Sequence, residues 1–146
     1  MALPTGSGTE TIHAHPFNDV DATQTLISGL QHHVYTVLSV IVFCNALNAT
    51  TDVGTLVLKA HDGHGGGTEN SIRIARFNIQ VNETFVWNDK FAFNGVEPTG
   101  TNVFSAAEQI AIAAQSGSAV QSLEVSPTHA DDDYDIFFTY LDQDWT

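Results

Sequence analysis

Apolar and polar residues alternate with a period of two along most of this chain, the period of a pleated strand rather than of a helix. Residues 33–44 carry Tyr35, Val37, Ile41 and Phe43 on one parity, and Val34, Leu38, Val40 and Val42 on the other. Residues 23–30 and 53–60 predict two shorter strands, with a turn cluster over 45–52. Over 71–81, Ile72 and Ile74 share one parity whereas Phe77, Ile79 and Val81 take the other. A switch of parity inside a strand marks an inserted residue or a change of sheet. Phe85, Val86, Trp87, Phe91 and Phe93 predict strands over 83–88 and 90–93. Pro98 makes 95–100 a turn, because proline removes a ladder donor. Gln109-Ile110-Ala111-Ile112-Ala113 alternates and predicts a strand over 109–114; the alanines of 105–114 offer a helical rival. Residues 115–121 then form a hairpin, 122–125 a strand and 134–142 the closing strand.

About eight short strands separated by turn signals, with no alternating helices, predict an all-β fold: an antiparallel β-sandwich or jelly roll. Residues 1–22 show neither period and are rich in Thr, Gly, Ser, His and Asp, which predicts an irregular N-terminal arm before a single sandwich domain over 23–146. Two strands are apolar on both faces: residues 34–44, and residues 134–141 with Ile136, Phe138 and Tyr140 opposite Phe137 and Leu141. A solvated antiparallel strand is apolar on one face only. Either both are central strands covered by loops, or their outer faces meet another subunit.

Charge narrows the partners. The chain has 146 residues, with 4 Lys+Arg against 17 Asp+Glu and a formal net charge of -13. Its basic residues are Lys59, Arg73, Arg76 and Lys90. A phosphate backbone needs several cationic contacts, so a nucleic-acid partner is disfavoured; anionic membrane surfaces are disfavoured for the same reason. No apolar run approaches the ~20 residues of a membrane helix. The first ten residues lack the charged and apolar regions of a signal peptide, so synthesis in a cytoplasm is expected. Cys44 is the single cysteine and reads as a buried small hydrophobe.

Each candidate for chemistry has a plainer explanation. His13 and His15 would share one strand face and could chelate a metal, but no further ligand stands at a diagnostic spacing. His32 and His33 are the other dense pair. The loop from His61 through Asp62, Gly63 and His64 to Gly67 lacks the lysine and the helix of a phosphate cradle. Asp131, Asp132, Asp133 and Asp135 are rich in oxygen, yet depart from the spacing of a calcium loop. No nucleophile–base signature is found, and carboxylates such as Glu83 and Asp89 do not define a cleft. The expectation is therefore no catalytic residue, no cofactor and no metal. Tyr35, Phe85, Trp87, Phe91 and Tyr140 read as core aromatics. Trp145 stands apart, close to the end of the sequence, where an aromatic docks on its own domain or on a neighbour.

Val34-Tyr35-Thr36-Val37-Leu38-Ser39-Val40 leading to Cys44-Asn45, then Glu83-Thr84-Phe85-Val86-Trp87-Asn88-Asp89-Lys90, then Ile136-Phe137-Phe138-Thr139-Tyr140-Leu141-Asp142, together carry a resemblance over residues 26–142. The chain resembles small β-sandwich structural proteins of tailed-phage virions, especially marine and cyanobacterial phages. The histidine-rich loops and the N-terminal arm depart from that pattern. The resemblance implies a virion protein with no catalytic residues: a capsid decoration (cement) protein, or alternatively a tail, neck or fibre component. Its implied partners are other virion subunits, foremost the major capsid protein, and further copies of itself, as a trimer. It would reside in the virion, assembled in the host cytoplasm. A receptor- or glycan-binding module is the reading from a second class, and a small hydrolase on a β scaffold that from a third.

Overall fold

The computed structural model describes residues 9–62, 68–98, 106–115 and 119–145. Along the described chain run β1 (Thr9–Val20), β2 (Gln24–Ser28), β3 (His33–Ala46), β4 (Gly54–Asp62), β5 (Thr68–Phe77), β6 (Thr84–Trp87), β7 (Phe91–Asn94), β8 (Val96–Glu97), α1 (Ala106–Ala113), β9 (Ala119–Val120), β10 (Ser122–Ser126) and β11 (Asp133–Asp144). Sheet A has the order β1-β11-β3-β6, with β7 also pairing β3; sheet B has the order β2-β10-β4-β5, and β8 pairs β9. Every pairing is antiparallel. The fold is the antiparallel β-sandwich that the alternation predicts.

The two apolar parities of β3 have a local cause. Thr139 pairs Ser39 and Tyr140 pairs Val37, which leaves Leu38 as the extra residue of a bulge. A bulge flips the parity of everything beyond it. Tyr35 and Val37 before it, and Val40, Val42 and Cys44 after it, are therefore all buried on one face. Opposite them β11 buries Tyr134, Ile136 and Phe138, and sheet B contributes Leu56, Leu123 and Val125. A second bulge explains the parity switch of β5. Ala75 pairs Leu56 and Arg73 pairs Val57, so Ile74 is the inserted residue and Phe77 turns into the core.

Polar groups lock the ends of the sandwich. Asp132, fully buried, accepts from the backbone N–H groups of Asn48 and His129, both at 2.9 Å. Thr128 Oγ1 donates to the Val53 carbonyl at 2.6 Å and accepts from the Val53 N–H at 3.0 Å. At the other end, buried Gln121 donates to the Asn94 carbonyl at 2.9 Å and accepts from the His61 N–H at 2.9 Å. There the backbones of Gly29 and Gly95 touch, and a Cβ on Gly29 would coincide with the Gly95 carbonyl. Glycine is required by that approach.

Five expectations from the sequence need correction. Most of the segment read as an irregular arm is strand: β1 pairs β11 from Thr9↔Asp144 to Val20↔Tyr134, while residues 1–8 lie outside the described set. The strand expected over 109–114 is instead part of α1, the helical rival. The segment 115–121, expected as a hairpin between two strands, instead follows a helix; its end contains β9, and residues 116–118 lie outside the described set. The glycine-rich loop shortens, since β4 runs to Asp62 and β5 starts at Thr68, and Gly63 to Gly67 are not among the described residues. Within the expected turn 95–100 lies the two-residue strand β8.

Candidate interaction surface

With one face of sheet A sealed by sheet B, the register places a second set of side chains on the opposite face. One row crosses all four strands: Pro16, Phe137, Ile41 and Val86 are successive cross-strand partners. A parallel row runs through Ile12, Leu141, Thr36 and Ala92. Between them Ala14, Thr139 and Ser39 form a third, narrower row. Ile12, Val86 and Phe137 remain 68%, 52% and 43% exposed, and they share one sheet face rather than being scattered singly. Across these three rows no residue is charged; Glu10 and Asp135 stand only at the two ends.

The outer face of sheet B is built to the opposite specification. There Arg73, Val57, Glu124 and Thr25 make one row, and Arg76, Thr55 and Ser126 another. Lys59 lies beside them, 3.6 Å from Glu124. Three of the chain's four basic residues thus lie on one solvated sheet face. Alternation predicts that second arrangement for any half-buried antiparallel sheet; sheet A departs from it. An uncovered apolar face over central strands is the chemistry of a protein contact.

The structure places the sequence candidates as follows. His13 and His15 do share a face of β1, but their rings are engaged in stacking: His13 lies 5.1 Å from Tyr140, and His15 lies 4.9 Å from Phe17. His33 Nδ1 bonds Asp142 at 2.7 Å, with Asp144 at 3.6 Å from Nε2. His61 Nε2 lies 3.6 Å from Glu69 across the β4–β5 hairpin. Phe85, Trp87, Phe91, Tyr35 and Tyr140 all pack in or against the core. Cys44 is fully buried, and burial pushes its thiol pKa up. Trp145, whose N–H donates to the His32 carbonyl, follows β11 and remains partly exposed.

The aspartate run splits into two parts. Asp132 holds turns together, whereas Asp133 and Asp135 meet Asp19 of β1, with one oxygen of each within 4.8 Å of the others. Asp19 sits at φ 55 where the β1–β11 register shifts, and its N–H donates to Asp135 at 3.1 Å. Burial, then the negative charges of Asp19, Asp135 and Asp21, raise the Asp133 pKa against the pull of a hydrogen bond from Asn45. Asp19 is the member that sequence spacing cannot find, because only the β1–β11 register brings it there.

No family model and no curated protein sequence matches this chain. Solved structures align with it only distantly. The CBM22-1–GH10 modules of Clostridium thermocellum xylanase 10B, complexed with xylohexaose, align at 14% identity and TM-score 0.42, over 80% of this chain and 17% of that one. A Bacillus endospore appendage of a disulfide-linked pilus family aligns at 6% identity and TM-score 0.42, over 100% of this chain and 97% of that one. A protein of infectious bursal disease virus, Gx strain, aligns at 9% identity and TM-score 0.42, over 96% of this chain and 30% of that one. The chain therefore spans under a third of the xylanase and viral chains, and nearly all of the pilus subunit.

Proposed function

We propose that this protein is a structural component of a virion, and specifically a capsid decoration (cement) protein on the outer surface of a tailed-phage head. The observation that carries the reading is the uncharged, apolar outer face of sheet A in a chain of net charge -13. Its excess carboxylates keep it soluble and away from packaged nucleic acid, while one neutral face is reserved for contact. Its activity is those contacts rather than catalysis, and its partners are other virion subunits, foremost the major capsid protein, together with copies of itself. The tail, neck or fibre alternative uses the same face.

A glycan-binding role would need an aromatic ring with a free face. Tyr140 stacks on both His13 at 5.1 Å and Phe138 at 4.9 Å. The exposed ring of Phe137 lies between Pro16 and Ile41 in the uncharged row, a setting that suits an apolar protein contact better than a sugar, so the contact reading is preferred. Electron microscopy of purified particles tests it. Copies repeating with the capsid lattice are expected; a few copies at one vertex would move the protein to the neck or tail, and absence from particles would remove the virion role.

A further inference from the structure

We infer that the outer face of sheet A is the seat of a second copy of this chain, the two sheets packing face to face about a two-fold axis. The inference deepens the contact reading of this face by naming its occupant, and because its test uses the purified chain alone it can fail while the virion role stands.

Area is the first argument. The three long strands of sheet A have 12 or 14 residues each, and β6 and β7 lie end to end along β3 as the fourth. At about 3.3 Å per residue and about 4.8 Å between strands, the whole face measures roughly 40 by 19 Å, on the order of 760 Å², of which the uncharged rows form the centre and the charged ends a polar rim. A standard stable interface takes ~800 Å² from each partner. The second argument is charge. Two copies each at -13 repel, so the centre of their contact must be a surface where neither presents a carboxylate. The rows Pro16–Phe137–Ile41–Val86 and Ile12–Leu141–Thr36–Ala92 make such a surface, with Glu10 and Asp135 at its ends. A basic partner would find no carboxylate within these rows, and an acidic one no cation.

Symmetry decides the stoichiometry. One self-complementary patch closes at two copies, whereas a three-fold ring needs two different surfaces that fit each other. Among the described residues sheet A offers the one contiguous apolar face; the outer face of sheet B carries Lys59, Arg73, Arg76 and Glu124. Pairing through the free edge of β1 is the weaker route, because Pro16 stands in the middle of that strand and proline blunts an edge. Stacked sheets keep every backbone hydrogen bond and bury only side chains.

The full chain is tested by sedimentation over a concentration series reaching about 100 µM, well above a micromolar dissociation constant. The wild-type chain should run at twice its 15.7 kDa mass. Phe137→Glu, at the centre of the face, should weaken pairing about 30-fold or more, the effect of losing an interface anchor. Arg76→Glu, on the outer face of sheet B, should leave the pair intact. If Phe137→Glu fails to fold by circular dichroism, Val86→Glu at its more exposed position carries the same test. A monomeric wild-type chain, a three-copy mass, or a pair indifferent to both face substitutions would each overturn the inference. So would a monomer that binds phage particles through this face, which would give the surface to a different subunit.

Discussion

Tyr134 and Asp133 are adjacent in sequence and both carry a buried polar atom without a protein partner, the phenolic oxygen and Oδ1 respectively. Tyr134 lies wholly in the core with its ring edge-on to Phe77, and burial drives its pKa far up. A buried hydroxyl without a partner forfeits its hydration and gains nothing in return. Tyr134→Phe should therefore leave the fold intact and raise its stability by about 0.5–1.5 kcal/mol, read as a higher urea midpoint. Asp133 behaves differently because it ionises. Its raised folded pKa means that the charged form is disfavoured in the native state; its contribution to stability is full below the unfolded value of about 3.9 and is lost as pH rises through the folded value. Asp133→Asn should stabilise the protein at pH 7 by about 0.5–1 kcal/mol, the scale of a partly exposed charge contact. The advantage should shrink to nothing near pH 3, and thermal melts at the two pH values check this. An advantage independent of pH would mean that packing, not charge, carries it.

At the scale of elements, β1 is the largest revision, and its consequence is measurable. A free arm could be removed without harm, but β1 pairs β11 along nearly its whole length, and its loss would strip one side of a central strand. A chain lacking residues 1–20 should lose cooperative unfolding or melt far below the intact chain, by circular dichroism. The reason β1 was illegible is physical. It overhangs sheet B, so His13 and His15 on its inner parity and Ile12, Ala14 and Pro16 on its outer parity are all exposed, and no burial imposes alternation. Elsewhere burial does impose it: β3, β4, β10 and β11 are legible, and so is the β5 bulge at Ile74. α1 misled for the converse reason. Its Ile-Ala alternation suggests a strand, but Ile110 is 71% exposed, so the pattern reports no sheet face. A strand needs a neighbour, whereas a helix closes its own bonds, here with the Ala114 N–H donating to the Ile110 carbonyl at 3.0 Å. The alanines then decide. The candidate surface was half legible: the doubly apolar strands pointed to it, but the β3 bulge at Leu38 reassigned which residues form it.

For the whole molecule, charge and apolar surface oppose each other, and salt separates them. Seventeen acidic and four basic side chains give every copy the same strong negative field, which resists any approach of two copies. That repulsion acts between solvent-exposed charges over distances longer than a contact, so it is screened as the Debye length falls from about 10 Å at 0.1 M to about 3 Å at 1 M salt. Among the described residues the three uncharged rows of sheet A offer no ion pair that salt could weaken, and their attraction is burial, which salts excluded from the surface strengthen. Raising sodium chloride from about 0.1 to 1 M should then tighten self-association several-fold, with the dissociation constant falling steadily across the series. An interface carried by Lys59, Arg73 or Arg76 against the carboxylates of a neighbour would respond in the opposite sense and loosen. Lowering the pH toward the pI of about 4.5 should act like salt, because protonating carboxylates removes the same repulsion. Agreement of the two titrations would assign the contact to the neutral face; weakening in either would assign it to charged surface elsewhere.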